Sequence, residues 1–191
     1  MRADNPDLAL AEHDARTEVD PVSWRRVRLQ INDQLADGTP GVIEIETLRP
    51  LSWLDEHQAA VGVLVPVPLD LGEMGVQQQY AEVLAIEPCP TPQSGPGKVV
   101  LNTVSHLNAD LFDLIVRNDT GEQEDLRVTG SHKIFSRTRQ DWISTSSLLP
   151  GETLKGLDGP LTVASLEQVP GTFRVYNLTV EQEHVYHVSP F

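Results

Sequence analysis

The sequence predicts an all-β fold, mostly strands with one or two short helices. Two observations carry this expectation. Apolar and polar residues alternate with a period of two, as where Val27, Leu29 and Ile31 interleave with Arg26, Arg28 and Gln30; that period puts successive side chains on opposite faces of a strand. The 14 prolines and 13 glycines are spread along 191 residues, which means many turns and short elements rather than a helical bundle. There is no internal repeat of fixed period and no low-complexity tract.

The elements follow in order. Residues 1–22 form a polar, acidic arm in which Pro6–Arg16 reads either as a short helix or as loosely packed chain. Residues 23–191 form the β domain. Its first strand lies around Val27–Ile31, a turn falls at Asp37-Gly38 and Pro40, and a second strand follows at Val42–Glu46, so the three read as a hairpin. Ser52 is placed to cap a short helix beginning at Trp53, with Asp55 and Glu56 in its first turn. Val61–Leu71 is apolar and β-branched, but Pro66 and Pro68 interrupt it, which argues for an edge strand or an extended segment.

Tyr80–Pro88 alternates again, and Pro88–Gly97 is a rigid loop. Lys98–His106 and Leu111–Val116 read as a pair of strands, and Asn118–Asp125 as a polar turn. Leu126–Thr129 and His132–Ser136 flank a tight Gly130-Ser131 step. Ser144–Leu149 reads as one helical turn, ended by Pro150-Gly151. Leu161–Leu166, Phe173–Val180 and His184–Val188 are the last strands.

Composition narrows the function. The net charge is −14, and a surface so acidic repels phosphate backbones, so nucleic acid is a poor partner. No Asp-x-Asp/Asn-x-Asp/Asn-Gly loop points to calcium. The single cysteine, Cys89, leaves no internal disulfide and no cysteine-rich zinc site. His184 and His187 point to opposite faces of a strand and make a poor metal pair; no cofactor is expected. His13, His57 and His106 read as structural or solvated. No run approaches 18 apolar residues, so no membrane span is expected. The start has no apolar core of a signal peptide, and the isolated chain reads as cytoplasmic.

The last third carries an ordered series. Thr129-Gly130-Ser131-His132 is a T-x-x-H step after a strand. An aromatic stretch follows, then the turn Leu148-Leu149-Pro150-Gly151-Glu152, a strand ending in Pro170-Gly171, and finally VYNLTVEQEHVYHV, Val175 to Val188. This series resembles the later blocks of the Hint (hedgehog/intein) superfamily. With LRPLSWL, LGEMG, IEPCP and GPGKVV upstream, it is similar to the Hint domains at the C-terminal ends of bacterial Rhs/YD-repeat polymorphic toxin proteins. The resemblance covers roughly Trp24 to Val188. It implies a curved β horseshoe and cis-acting self-cleavage or splicing. Members of the family are often exported or cell-surface proteins.

In that chemistry a residue-one Cys or Ser attacks its own preceding carbonyl to give an ester or thioester. The resemblance implies that Thr129 positions the scissile peptide by hydrogen bonding. It implies that His132 gives a proton to the leaving amide nitrogen. His184 would assist the C-terminal step, in which an asparagine cyclises. Asn177 stands at a catalytic position where many members carry Asp, and an amide cannot act as a general acid or base. Cys89 is set aside as a nucleophile, because it sits mid-chain between two prolines and reads as a structural thiol.

The sequence departs from the family in three ways. The opening block, a Cys followed by a G-T-x-V strand, is absent from Met1–Val22. The chain stops at Ser189-Pro190-Phe191, whereas the family usually continues for several residues to a Val-His-Asn end. Lys133 follows His132 in place of proline. Without either nucleophile, the chain alone is expected neither to splice nor to cleave itself. Its expected partners are the missing Hint segments or the parent toxin polypeptide, in cis or in trans. One alternative is a piece of a split Hint domain. Another is a β scaffold retained as a protein-interaction module.

Overall fold

The structure is a computed structural model that describes residues 17–34, 40–74, 76, 78–93 and 98–181. Within them the fold is all-β. In chain order the strands are β1 (Trp24–Gln34), β2 (Pro40–Pro50), β3 (Leu64–Pro66), β4 (Tyr80–Pro88), β5 (Val100–Asn108), β6 (Leu111–Arg117), β7 (Gln123–Thr129), β8 (Lys133–Ser136), β9 (Asp141–Ser144), β10 (Thr153–Lys155), β11 (Pro160–Val169) and β12 (Phe173–Val180). One helical turn, α1 (Leu51–Glu56), follows β2, and 3-10 turns cover Gly72–Met74 and Thr145–Ser147. The chain divides into two compact units. Among the described residues, the first holds 17–107 with 174–181, and the second holds 108–173.

The first unit is a six-stranded sheet in the order β12-β5-β2-β1-β4-β3. The alternation seen in the sequence sets its register: Val27 faces Thr47, Leu29 faces Ile45 and Ile31 faces Ile43 across the β1–β2 hairpin. All six are buried. A slip of one residue would turn this whole set to the other face, so burial of one face locks the pairing. Leu54 of α1, Val65, Leu71, Val76, Val83 and Val104 complete the core. On the outer face Arg26 bridges Glu87 at 2.9 Å and Glu46 at 3.8 Å. The expected edge strand is β3, at the end of the sheet.

Two expectations are corrected here. The helix begins at Leu51, not Trp53, and Ser52 does not cap it: Pro50 precedes it with φ −68° and ψ 154°, and no side chain caps the end. The Leu51 amide instead donates to the Ser23 carbonyl at 2.8 Å, which satisfies an otherwise orphaned N–H. Asp55 and Glu56 therefore fall at the end of the turn, not in its favourable first residues. Second, β5 and β6 do not pair. β5 pairs with β2, where Val104 meets Ile45, and β6 pairs with β7 and β11 in the second unit. Alternation marks a strand but does not name its neighbour, and both strands had a better-matched partner elsewhere.

The second unit is a six-stranded sheet in the order β7-β6-β11-β10-β8-β9. Leu114, Val116, Leu148, Leu154, Leu161 and Val163 form its core. The polar turn is shorter than expected, since β7 starts at Gln123. Asn118 closes it by accepting the Glu122 amide at 2.9 Å. Of the N-terminal arm, residues 17–22 are described: Val19 is buried with Leu48 and Cys89, and the Glu18 amide donates to Glu181 Oε1 at 2.6 Å. Pro6–Arg16 and His184–Val188 lie outside the described residues.

Candidate functional site

The T-x-x-H step lies in the second unit. Thr129 is the last residue of β7, paired with Leu111 at the start of β6. There the chain turns, and the His132 amide donates to the Thr129 carbonyl at 3.0 Å. The Gly130 amide donates to the Asp110 carbonyl at 2.8 Å. Glycine lets neighbouring side chains approach closely here. A Cβ at position 130 would run into the Asp110 carboxylate and come within 2.8 Å of the Phe112 ring.

The far side of the turn is held by the 3-10 segment after β9. The Thr145 amide and hydroxyl both donate to the His132 carbonyl, at 2.9 and 3.1 Å. The Ser146 amide donates to the Gly130 carbonyl at 3.0 Å. Lys133, next to His132, reaches across the β8–β9 pair to Ser144 Oγ at 2.9 Å. The turn is thus bonded on both sides, and His132 is half-buried on it. The Thr129 side chain is also half-buried. The arrangement can present one hydroxyl and one imidazole from a fixed backbone, a donor–acceptor pair suited to gripping and protonating an amide.

A buried carboxylate braces the same unit. Glu152, 5% exposed, accepts the Ser136 hydroxyl at 2.5 Å on one oxygen. Its other oxygen takes Arg139 Nη2 at 2.8 Å and the Leu149 amide at 3.1 Å. Burial pushes this carboxyl upward, but the Ser136 hydroxyl, the Leu149 amide and Arg139 outweigh it and hold it below the usual carboxylate range. The glutamate closing the Leu148–Glu152 turn therefore ties that turn to the end of β8. Gly151 has φ +86°, a conformation that favours glycine.

The structure brings Thr129 and His132 into one turn. Asn177 lies on β12, in the first unit; its Oδ1 accepts the Leu178 amide at 2.9 Å. His184 lies outside the described residues. Cys89 is buried among Val19 and Leu48, and burial pushes its thiol up, which suits a structural role. His57 packs edge-on to Trp53, ring centres 4.8 Å apart. Thr145, Ser136 and Arg139 were not singled out by the sequence. Thr145 sits in a run of four serines and threonines, and nothing in that run marks which of them is buried.

Among the described residues no cluster of three His, Cys, Asp or Glu could hold a metal ion, and no helix is long and apolar enough to cross a membrane. The first unit carries an open cavity of about 710 Å³, lined in part by Pro66, Asp70, Gln78, Gln79 and Tyr80. No residue of the T-x-x-H step lines it. No protein-family model, curated protein or solved structure matches the chain.

Proposed function

We propose that the chain is the scaffold of a Hint-like, cis-acting autoprocessing domain of a polymorphic toxin-like protein, folded as a curved horseshoe. The observation that supports this best is the Thr129–His132 turn, fixed through Asp110, Thr145 and Ser146. In this reading a Cys or Ser oxygen or sulfur adds to the scissile carbonyl, and the C–N bond then breaks. Thr129 holds the amide, and His132 delivers the proton to the leaving nitrogen. His184 assists the C-terminal step, and Asn177 stands where many members of the family carry Asp. The nucleophile itself is not assigned to any residue of this chain.

Intact-mass spectrometry tests the reading. The chain alone is expected to stay whole. The chain joined to a Cys-led N-terminal segment and an Asn-ended C-terminal segment is expected to give time-dependent fragments that are lost in His132→Ala and slowed in Thr129→Ala. Fragments from the chain alone, or none from the joined protein, would contradict it.

One observation favours a second reading, an interaction module. Among the described residues β12 is an edge strand; Tyr176 is 68% exposed, and Val175–Val180 carries no charge. Uncharged edge strands accept an added strand. Capture of a binding partner that survives His132→Ala would support this reading over chemistry.

A further inference from the structure

We infer that Thr145 is the positioning residue for His132. The inference deepens the autoprocessing reading and takes from it only the role of the imidazole. Thr145 is fully buried and opens the 3-10 turn Thr145–Ser147, which the Leu148 amide closes on the Thr145 carbonyl at 3.0 Å. Its amide and its hydroxyl converge on one acceptor, the His132 carbonyl. A carbonyl oxygen has two lone pairs, and this single residue occupies both.

The His132 amide is meanwhile held by the Thr129 carbonyl. The peptide planes on both sides of the histidine Cα are therefore fixed. Ser146, bonded to the Gly130 carbonyl, repeats the hold one peptide earlier.

The hydroxyl itself is informative. Valine has the same shape as threonine and would fill a buried position with no polar group to satisfy. A buried hydroxyl is disfavoured unless it is bonded, and here its bond goes to the residue that carries the imidazole. A proton donor must sit within hydrogen-bond reach of its target, and a displacement of about 1 Å can cost on the order of a hundredfold in rate. Thr145 supplies that constraint from outside the T-x-x-H motif.

The test is the His132 imidazole signal in ¹H–¹³C NMR of the full chain. In Thr145→Val the His132 Cε1–H signal is expected to broaden or split. In Thr145→Ser it should stay single and sharp, because the hydroxyl is retained. The His57 signal, in the other unit, should not change in either variant. Where the joined protein processes itself, Thr145→Val should slow it about tenfold, and Thr145→Ser should restore it.

An unchanged His132 signal in Thr145→Val would overturn the inference, whatever happens to stability. If Thr145→Val does not fold, Thr145→Ala removes the same hydroxyl and is read the same way. A changed signal in a protein that never processes itself would leave the positioning role standing and remove the proposed function.

Discussion

In the first unit β1 and β2 are each 11 residues long and pair along their whole length, with valine, leucine and isoleucine alternating into a continuous core. In the second unit, the strands that follow the T-x-x-H turn are short. β8 and β9 have four residues each and β10 three. That unit compensates with side-chain hydrogen bonds: Ser136 to Glu152, Arg139 to Glu152, and Thr145 to the His132 carbonyl. A sheet held by burial tolerates polar substitution poorly anywhere on one face. A region held by a few polar contacts is sensitive only at those contacts, and each of them fixes a particular piece of backbone. The second kind of region is suited to carry a site, because it trades core area for defined geometry.

The largest expected effect is in the first unit. Ile45→Ala deletes a 2% exposed side chain facing Leu29 and should cost about 2–5 kcal/mol in urea unfolding. A loss below about 1 kcal/mol would mean that burial does not carry that sheet.

Next comes the carboxylate brace of the second unit. Glu152→Gln should cost about 2 kcal/mol, because Ser136 and Arg139 lose a charged acceptor. This contact also gives a pH signature. Glu152 titrates below its ordinary value when folded, so its contribution is fully present above the unfolded pKa of about 4.3. It is lost as pH falls through the lower folded value. Thermal unfolding followed downward from about pH 6 should therefore show a loss of stability on acidification that is smaller in Glu152→Gln. Equal slopes would show that the brace is not ionised in the folded state.

Smaller still is Thr47→Val in the first unit. It removes the buried 2.5 Å bond to Asn102 Oδ1 while keeping the shape, and about 1 kcal/mol is expected in urea unfolding. The smallest is Arg26→Ala. Arg26 makes partly exposed pairs with Glu46 and Glu87, and such pairs contribute under about 1 kcal/mol. Repeating the Arg26→Ala measurement in high salt should narrow even that difference.

Much of the first unit was legible in the sequence. Leu29 and Ile31 alternate on β1, Ile43 and Ile45 on β2, and Pro66 and Pro68 mark the edge. What failed there was neighbour choice. Ser52 looked like a cap, but the first helical amide was taken by the Ser23 carbonyl, 28 positions back. Strands β5 and β6 are adjacent in sequence yet sit in different sheets.

The second unit was legible in its motifs but not in its contacts. Thr129, Gly130 and His132 stood out, and Glu152 did as the end of a turn. Its role as a buried brace depends on Ser136 and Arg139, which lie 16 and 13 residues away in the chain. Polar residues buried by long-range hydrogen bonds leave no periodic trace, so Thr145 was invisible among its neighbours.

The T-x-x-H turn is clamped between Asp110 and the Thr145–Ser146 segment. Amide hydrogen exchange at Gly130, His132, Thr145 and Ser146 measures this directly. These four are expected to exchange slowly and as a group, far behind the amide of exposed Thr120. Exchange at those four positions as fast as at Thr120 would contradict the clamp.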